Sequence, residues 1–437
     1  MSTVRPSAPS AVRWIVRVLE EAGHETWAVG GAVRDALTGG APGDWDLATS
    51  ARPGEVRKIF RRTVPIGVEH GTVGVLARDG TMYEVTTFRR DVETDGRHAV
   101  VAFADTIEED LARRDFTVNA VAWHPLREAL LDPFGGAADL EAGVLRTVGE
   151  PAERFAEDYL RVLRALRFAG RFSLEIDGAT WQALTVGVDR LRALSAERVR
   201  DELVKVLDAD PAPARAMRLY AESGALAVLY PEIEALRRSG TAETTADPRV
   251  PDAWTIAIHS VEVLPVQRPL LRLAALVRDV EPEGVAALLT RLRFSNAAVD
   301  ETAHRARGAQ LPPPDESDAS FRRWLSSVGP HRLPALARLD LARAKALCGL
   351  GVDDRVAAVV ASWRRARLVR SAHSPLAVGD LALDGRGLIS AGMRPGPEFG
   401  RILDALLDWV LDDPARNRRE LLVARALELA GGDAGDV

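Results

Sequence analysis

The sequence predicts an α+β protein: a small mixed α/β head followed by helices to the end of the chain. Three observations carry this. Short apolar runs bounded by turn residues (Trp27–Val29, Gly67–Leu76 and Thr81–Arg89) fall early in the chain and read as strands. From Ala152 onward, apolar residues recur at helical spacing, broken by polar or proline-containing stretches such as Ser239–Pro251 and Pro312–Pro314. The length, 437 residues, suggests about two to four domains, with ample material for separate cores.

Composition narrows the class. An apolar content of 47% with 27% charged residues is that of a globular protein. The net charge of −6 gives no general basic footprint, so any nucleic acid must meet a local patch. Nearly all the cations are arginine, the lysines being Lys58, Lys205 and Lys345. A single cysteine, Cys348, excludes an internal disulfide framework and a Cys-based zinc site. Met1–Ser10 is polar and has no apolar signal core, and no apolar run reaches membrane-spanning length, so the expected location is the cytoplasm with no membrane partner.

In chain order, Ser10–Ala22 carries Val12, Ile15, Val16 and Leu19 at helical spacing, with Ser10 as the expected N-cap. Trp27–Val29 reads as a buried strand that ends in Gly30-Gly31. Ala32–Thr38 is then helical until Gly39-Gly40. Two glycines between strand and helix let a phosphate approach the backbone where free N–H groups favour anions. Asp44-Trp45-Asp46 follows. On a strand, period two puts both carboxylates on one face and sends Trp45 and Leu47 into a core. Such a pair is either a solvated turn after Pro42-Gly43 or a pair of Mg²⁺ ligands, since Mg²⁺ takes one or two carboxylates plus substrate phosphates. Arg52–Phe60 reads as a helix. Arg78-Asp79-Gly80 joins two strands as a hairpin, with Glu84 on the second strand turned toward the side of Asp44 and Asp46 or simply exposed at an edge. Arg89–His98 reads as a mobile polar loop, Asp132–Gly136 with Asp139-Leu140 as a turn-rich linker, and Ala152–Phe172 as one strong helix.

The string Gly30-Gly31-Ala32-Val33-Arg34-Asp35, then Asp44-Trp45-Asp46-Leu47-Ala48-Thr49, resembles the class II tRNA nucleotidyltransferases, that is, the CCA-adding enzymes and related bacterial poly(A) polymerases. Arg113-Arg114-Asp115-Phe116-Thr117-Val118-Asn119-Ala120 matches a further motif of that family, and Glu157-Asp158-Tyr159-Leu160-Arg161 another. The resemblance is dense over Trp27–Leu203 and looser to about Leu429. It implies a polymerase-beta-like catalytic head at 1–146 and a helical neck with a nucleotide-selecting helix at 147–230. A helical body at 231–350 and a tRNA-binding tail at 351–437 follow. Asp44 and Asp46 become catalytic metal ligands, with Glu84 a third, and Gly30, Gly31, Arg34, Arg113, Arg114, Asp115 and Asn119 bind nucleotide. Arg113 and Arg114 suit the triphosphate as forks, and Asp115 and Asn119 a ribose hydroxyl. Arg89, Asp91, Asp95 and Arg97 fall in the family's flexible loop, which helps the site switch from C to A. The body lacks the His-Asp phosphohydrolase site of many relatives, because Arg278 stands beside Asp279 where histidine is expected. Ser195 caps a neck helix in which Glu197 and Arg198 support neck geometry or the tRNA end. Trp363–Arg370 is the densest basic helix, either a tRNA contact or a solvated face.

The resemblance implies that Glu157, Asp158 and Arg161 select the incoming base, and the residue chemistry suits that role. Cytosine and adenine each present an amino donor beside a ring-nitrogen acceptor. A carboxylate beside a guanidinium matches both and mismatches uracil and guanine, which have the reverse polarity. A helix-stabilising ion pair is the plainer reading of the same three residues. The implied reaction is template-independent addition of C, C and A to the tRNA 3′ end from CTP and ATP. The 3′-hydroxyl attacks the α-phosphate in line between two Mg²⁺ ions and pyrophosphate leaves. The alternatives are the A-adding half of a split pair, a poly(A) polymerase, or an inactive RNA-binding module, and the chain is expected as monomer or homodimer.

Overall fold

The structure, a computed structural model, describes residues 6–40, 42–67, 71–94, 99–209, 212–239, 251–307 and 310–432. The chain divides into two compact units. One comprises residues 1–206 and 210–231, the other 207–209 and 232–437.

The first unit is built on a mixed sheet. Its strands are β1 (Thr26–Val29), β2 (Asp46–Thr49), β3 (Thr63–Pro65), β4 (Thr72–Leu76), β5 (Met82–Thr87), β8 (Ala122–His124) and β9 (Ala129–Leu131), in the order β3-β4-β5-β2-β1-β8-β9. All neighbours are antiparallel except β2 and β5. The helices α1 (Ser10–Glu21), α2 (Gly31–Leu37) and α3 (Pro53–Ile59) belong to this head, with α4 (Ile107–Ala112) and α5 (Gly136–Ala142). Alternation along the strands makes two cores. Ala28, Leu47, Val73 and Val85 join Trp45 with Val12, Ile15 and Leu19 of α1 and Val56 of α3. Trp27, Val29 and Ala48 face the other way and pack with Phe88 and with Ile107 and Leu111 of α4. The sheet is therefore buried on both faces over most of its area.

Several expectations change. Pro9, not Ser10, precedes α1, and no side chain caps that helix. Asp44 lies before β2 rather than on it, because the strand begins at Asp46. The polar stretch from Arg89 is a hairpin of β6 (Arg89–Thr94) and β7 (Ala99–Phe103). The pairing shifts register between Asp91 and Glu93, and Asp95 and Arg97 lie outside the described residues. Gly136 opens α5, since Asp132 accepts the N–H groups of Gly136 and Ala137 at 2.7 and 2.9 Å and so starts a helix in the expected linker. The long helix is two helices, α6 (Pro151–Glu157) and α7 (Leu160–Arg171), broken where Asp158 becomes extended at φ −157°.

After α7 come α8 (Gly178–Val186), α9 (Ala196–Ala209) and α10 (Pro213–Glu222). The strands β10 (Val144–Leu145) and β11 (Glu175–Ile176) pair in parallel beside them. Ser195 accepts the Arg198 N–H at 3.4 Å, the cap expected of it. The second unit is helical throughout its described residues, with two apolar clusters around Phe321 and Leu406. Asp279 and Arg278 are committed to ion pairs with Arg343 and Asp340 at 2.7 and 2.5 Å.

Gly170 fixes how closely α7 meets α10. A Cβ there would lie 2.5 Å from the Ala216 Cβ and 2.7 Å from its backbone N. In an exposed helix Gly→Ala gains about 1 kcal/mol, but overpacking costs about 1–3 kcal/mol. Backbone cannot move aside as a flexible side chain does, so the clash wins. Gly170→Ala lowers the urea midpoint, and a midpoint at or above the parent's would show that the helices are not in this contact.

Candidate active site

Gly30 sits at the centre of the cleft. It adopts φ +77°, ψ −140°, a conformation that side chains rarely permit, as the chain turns from β1 into α2. A Cβ on it would stand 3.3 Å from an Arg114 guanidinium nitrogen and 3.7 Å from the Asp46 Oδ2. The glycine thus leaves a bare backbone floor between a cation and a carboxylate.

Three carboxylates gather on the anionic side. The register Leu47↔Val85 sets Asp46 of β2 beside Glu84 of β5, on the face opposite Leu47 and Val85. Asp44 comes close from the preceding bend. The Asp46 carboxyl is open to solvent yet has protein on most sides. That crowding, then the charges of Glu84 and Asp44, raise its pKa to about 6, against the opposing pull of Arg114. Repulsion among hard oxygen donors is what a divalent cation relieves, so the donor set fits one. Among the described residues no three such groups close into a finished metal cage.

Arg113 and Arg114, just past the end of α4, form the cationic side. Asp110, 2% exposed, holds both: its Oδ1 accepts Arg113 Nε at 3.2 Å and its Oδ2 accepts Arg114 at 3.1 Å. Burial alone raises the Asp110 pKa, but the two guanidiniums bring it below the usual carboxylate range. The same Oδ1 accepts the Arg89 N–H at 3.2 Å, so the base of the β6–β7 hairpin hangs on this carboxylate too. The sequence reading passed over Asp110. Its spacing, i,i+3 and i,i+4 from the two arginines, was the available signal.

The triad Glu157, Asp158 and Arg161, expected to select the base, divides in two at the helix break. Glu157 at the end of α6 holds Arg161 of α7 in a short ion pair. Arg161 also donates to the carbonyls of Arg154 and Arg113, at 3.1 and 3.2 Å. Arg154 braces Glu157 at 2.8 Å and donates to the Ala112 carbonyl at 2.8 Å, which ties the triad to the end of α4. Asp158 pairs with Arg198 of α9 at 2.6 Å and accepts the Leu160 N–H at 3.0 Å. Arg198 is therefore a direct partner of a triad residue, and Arg154 is a brace that the motif alone did not single out.

Arg34, Asp115 and Asn119 are buried, at 6, 8 and 7% exposure, and engage one another. Asn119 accepts from Arg34 at 2.8 Å and donates to Asp115 at 3.1 Å, while the other Asp115 oxygen takes Arg164 of α7 at 2.7 Å. Burial raises the Asp115 pKa, yet Arg164 and the Asn119 amide leave it below its usual range.

Comparison with known proteins accords with this geometry. Residues 26–146 match the family described as the poly A polymerase head domain, and residues 173–236 match the probable RNA and SrmB- binding site of polymerase A. A CCA-adding enzyme of Geobacillus kaustophilus is 36% identical over 421 residues, 95% of each chain. One of Geobacillus thermodenitrificans is 37% identical over 424 residues, again 95% of each. The fold resembles that of the Bacillus stearothermophilus CCA-adding enzyme in complex with CTP, with a TM-score of 0.77, 31% identity and 98% coverage of both chains. The Thermotoga maritima CCA-adding enzyme complexed with tRNA shares the fold at a TM-score of 0.61 and 22% identity, over 98% of this chain and 97% of that one. With relatives of this identity along almost its whole length, the chain belongs to the class II tRNA nucleotidyltransferases, the family of CCA-adding enzymes.

Proposed function

We infer that the protein adds C, C and A to the 3′ end of tRNA, using CTP and ATP and no nucleic-acid template. The arrangement that supports this reading is a carboxylate cluster and a pair of tied-back arginines on either side of Gly30, with Glu157 and Arg161 tied to the Arg113 carbonyl. Its near full-length similarity to CCA-adding enzymes supports the same activity.

The family uses a divalent metal, which we assign as Mg²⁺. Asp44 and Asp46, with Glu84, would hold it, and when bound it supplies positive charge that favours the alkoxide of the tRNA 3′-hydroxyl and the leaving pyrophosphate. In this reading Arg113 and Arg114 bind the triphosphate, their forks pre-aimed by Asp110, and Gly30 and Gly31 let it lie against the backbone. Asp115 and Asn119 form the polar ground for the ribose. Asp158 and Arg161 read the base edge, Glu157 fixes Arg161, and Arg198 fixes Asp158. Catalysis then comes from positioning and charge stabilisation.

We also assign the head to 1–146, the neck to 147–230, the body to 231–350 and a tRNA-binding tail to 351–437. Arg364, Arg367 and Arg370 lie exposed on helix Val356–Ser371 and suit a phosphate backbone. The substrates are cytoplasmic, so we place the activity there. Among the described residues no helix is long and apolar enough to cross a membrane.

The direct test uses a tRNA transcript lacking its 3′ end. CTP alone yields two additions, and ATP then yields one. Activity only on tRNA already ending in CC, or a long A tail on generic RNA, would overturn this reading.

Asp46 generates a pH prediction. Folding raises its pKa from the ordinary 3.8 to about 6, so the folded state holds the extra proton. The associated stability is full below about pH 4 and is lost as pH rises through 6. In metal-free buffer Asp46→Asn therefore raises the melting temperature at pH 8 and changes it little at pH 4, and with Mg²⁺ added it abolishes incorporation. Arg161→Ala lowers discrimination against UTP and GTP by at least about tenfold, measured as ratios of kcat/KM for single additions.

A further inference from the structure

Arg34 has more partners than a phosphate ligand needs. Its Nε and one terminal nitrogen bind Asp35 Oδ1 at 3.0 and 2.8 Å, and its other terminal nitrogen binds Asn119 Oδ1 at 2.8 Å. The guanidinium carbon lies 4.1 Å from the Phe172 ring centroid and 5.4 Å from that of Phe168, within cation–π range. Those two rings stack on each other at 5.9 Å with an interplanar angle of 26°. Phe168 belongs to α7 and Phe172 is the residue at its C-terminal end. On the other side, the backbone carbonyl of Asn119 accepts Arg114 at 3.3 Å. A single guanidinium therefore joins α2, the turn that steadies Arg114, and the helix that carries Arg161.

Stability does not account for a cation here. Removing an ion from water costs several kcal/mol even after relaxation. Burial does push the Arg34 pKa down, and Asp35 only partly offsets it. An unbranched apolar residue would fill the space against the two rings without that cost. What it could not do is hold Asn119 and the rings in one fixed relation.

We propose that Arg34 is a positioning residue: through Asn119 and the Phe168–Phe172 stack it sets where the base-reading helix stands relative to the triphosphate-binding arginines. The proposal rests on the nucleotide-addition reading above. It assigns Arg34 a role beneath the site instead of a contact with the triphosphate. A misplacement of about 1 Å can cost about a hundredfold in rate, whereas ground-state binding, dominated by Arg113 and Arg114, changes little.

The test compares wild type, Arg34→Met, Arg34→Lys and Phe172→Leu on tRNA ending before its CCA. It measures kcat and KM with CTP and with UTP, equilibrium CTP binding without tRNA, and the melting temperature. Wild-type incorporation reports on the addition reading by itself. Arg34→Met is expected to remain folded and to bind CTP within about threefold of wild type. Its kcat falls about a hundredfold and its preference for CTP over UTP falls at least about tenfold. Arg34→Lys, which keeps the charge over the ring, falls between. Phe172→Leu loses discrimination in the same direction, and because it leaves the cleft untouched it decides the matter alone should Arg34→Met not fold. Loss of CTP binding in step with kcat/KM, with discrimination intact, would make Arg34 a direct ligand and overturn the proposal. Discrimination unchanged in Phe172→Leu would overturn it equally.

Discussion

An anion and a cation face each other across Gly30 and are kept from meeting. Asp46 and Arg114 would gain most, by themselves, from collapsing into an ion pair. Arg114 is instead tied back to Asp110 and to the Asn119 carbonyl. Asp46 is left beside Glu84 and Asp44 with its charge disfavoured. The folded protein thus holds unrelieved repulsion on one side of the cleft and directed positive charge on the other. A divalent cation with a triphosphate answers both. Much of the surrounding architecture serves to keep the gap open: the two-faced sheet that fixes Asp46, the buried carboxylate that fixes the arginines, and the glycine that fills none of the space.

The same economy appears at the base-reading end. The triad is not a set of exposed surface pairs: the side chains of Glu157, Asp158, Arg161 and Arg198 are 12–24% exposed. Its members are braced from several directions. Arg154 ties Glu157 to the end of α4, Arg161 reaches the Arg113 carbonyl, and Arg198 takes Asp158 from α9. The helix break at Asp158 has a role in this. In a continuous helix Asp158 would follow the surface of α7. Extended, it turns toward α9 while Arg161 stays on α7. In the proposed reading a hydrogen-bonding edge made of protein replaces a nucleic-acid template, which requires its donor and acceptor to stay in register, and this bracing would supply that register.

The head was legible because its signals are local. Trp27–Val29 flanked by glycines, alternating Trp45 and Leu47, and a hairpin at Asp79-Gly80 each obey short-range rules that the tertiary structure respects. The motif strings that hold Asp44, Asp46, Arg113 and Arg114 were likewise readable, and the structure brings Asp46 and Arg114 to either side of Gly30. The misses share a different cause. The break between α6 and α7 is invisible to periodicity, because the apolar stripe of α7 continues the spacing of α6 while Asp158 departs only through its backbone. The hairpin from Arg89 carries charges that suggested a loop, and its pairing depends on a partner strand several residues on. Asp110 was signalled by its spacing from Arg113 and Arg114, whereas Arg154 and Arg164 matter through partners distant in sequence, which spacing alone does not report. Arg34 was found by motif, but its surroundings were not.

The central claim is that one protein edge reads the amino-donor and ring-acceptor pattern shared by cytosine and adenine. Base analogues that lack only the exocyclic amine test it most directly: 2-pyrimidinone riboside triphosphate in place of CTP, and purine riboside triphosphate in place of ATP. The measurement is single-turnover incorporation at the matching tRNA ends. Both analogues should lose incorporation by a similar large factor, because each lacks the exocyclic donor that Asp158 is proposed to accept. Incorporation of either analogue at the rate of its parent nucleotide would contradict the account.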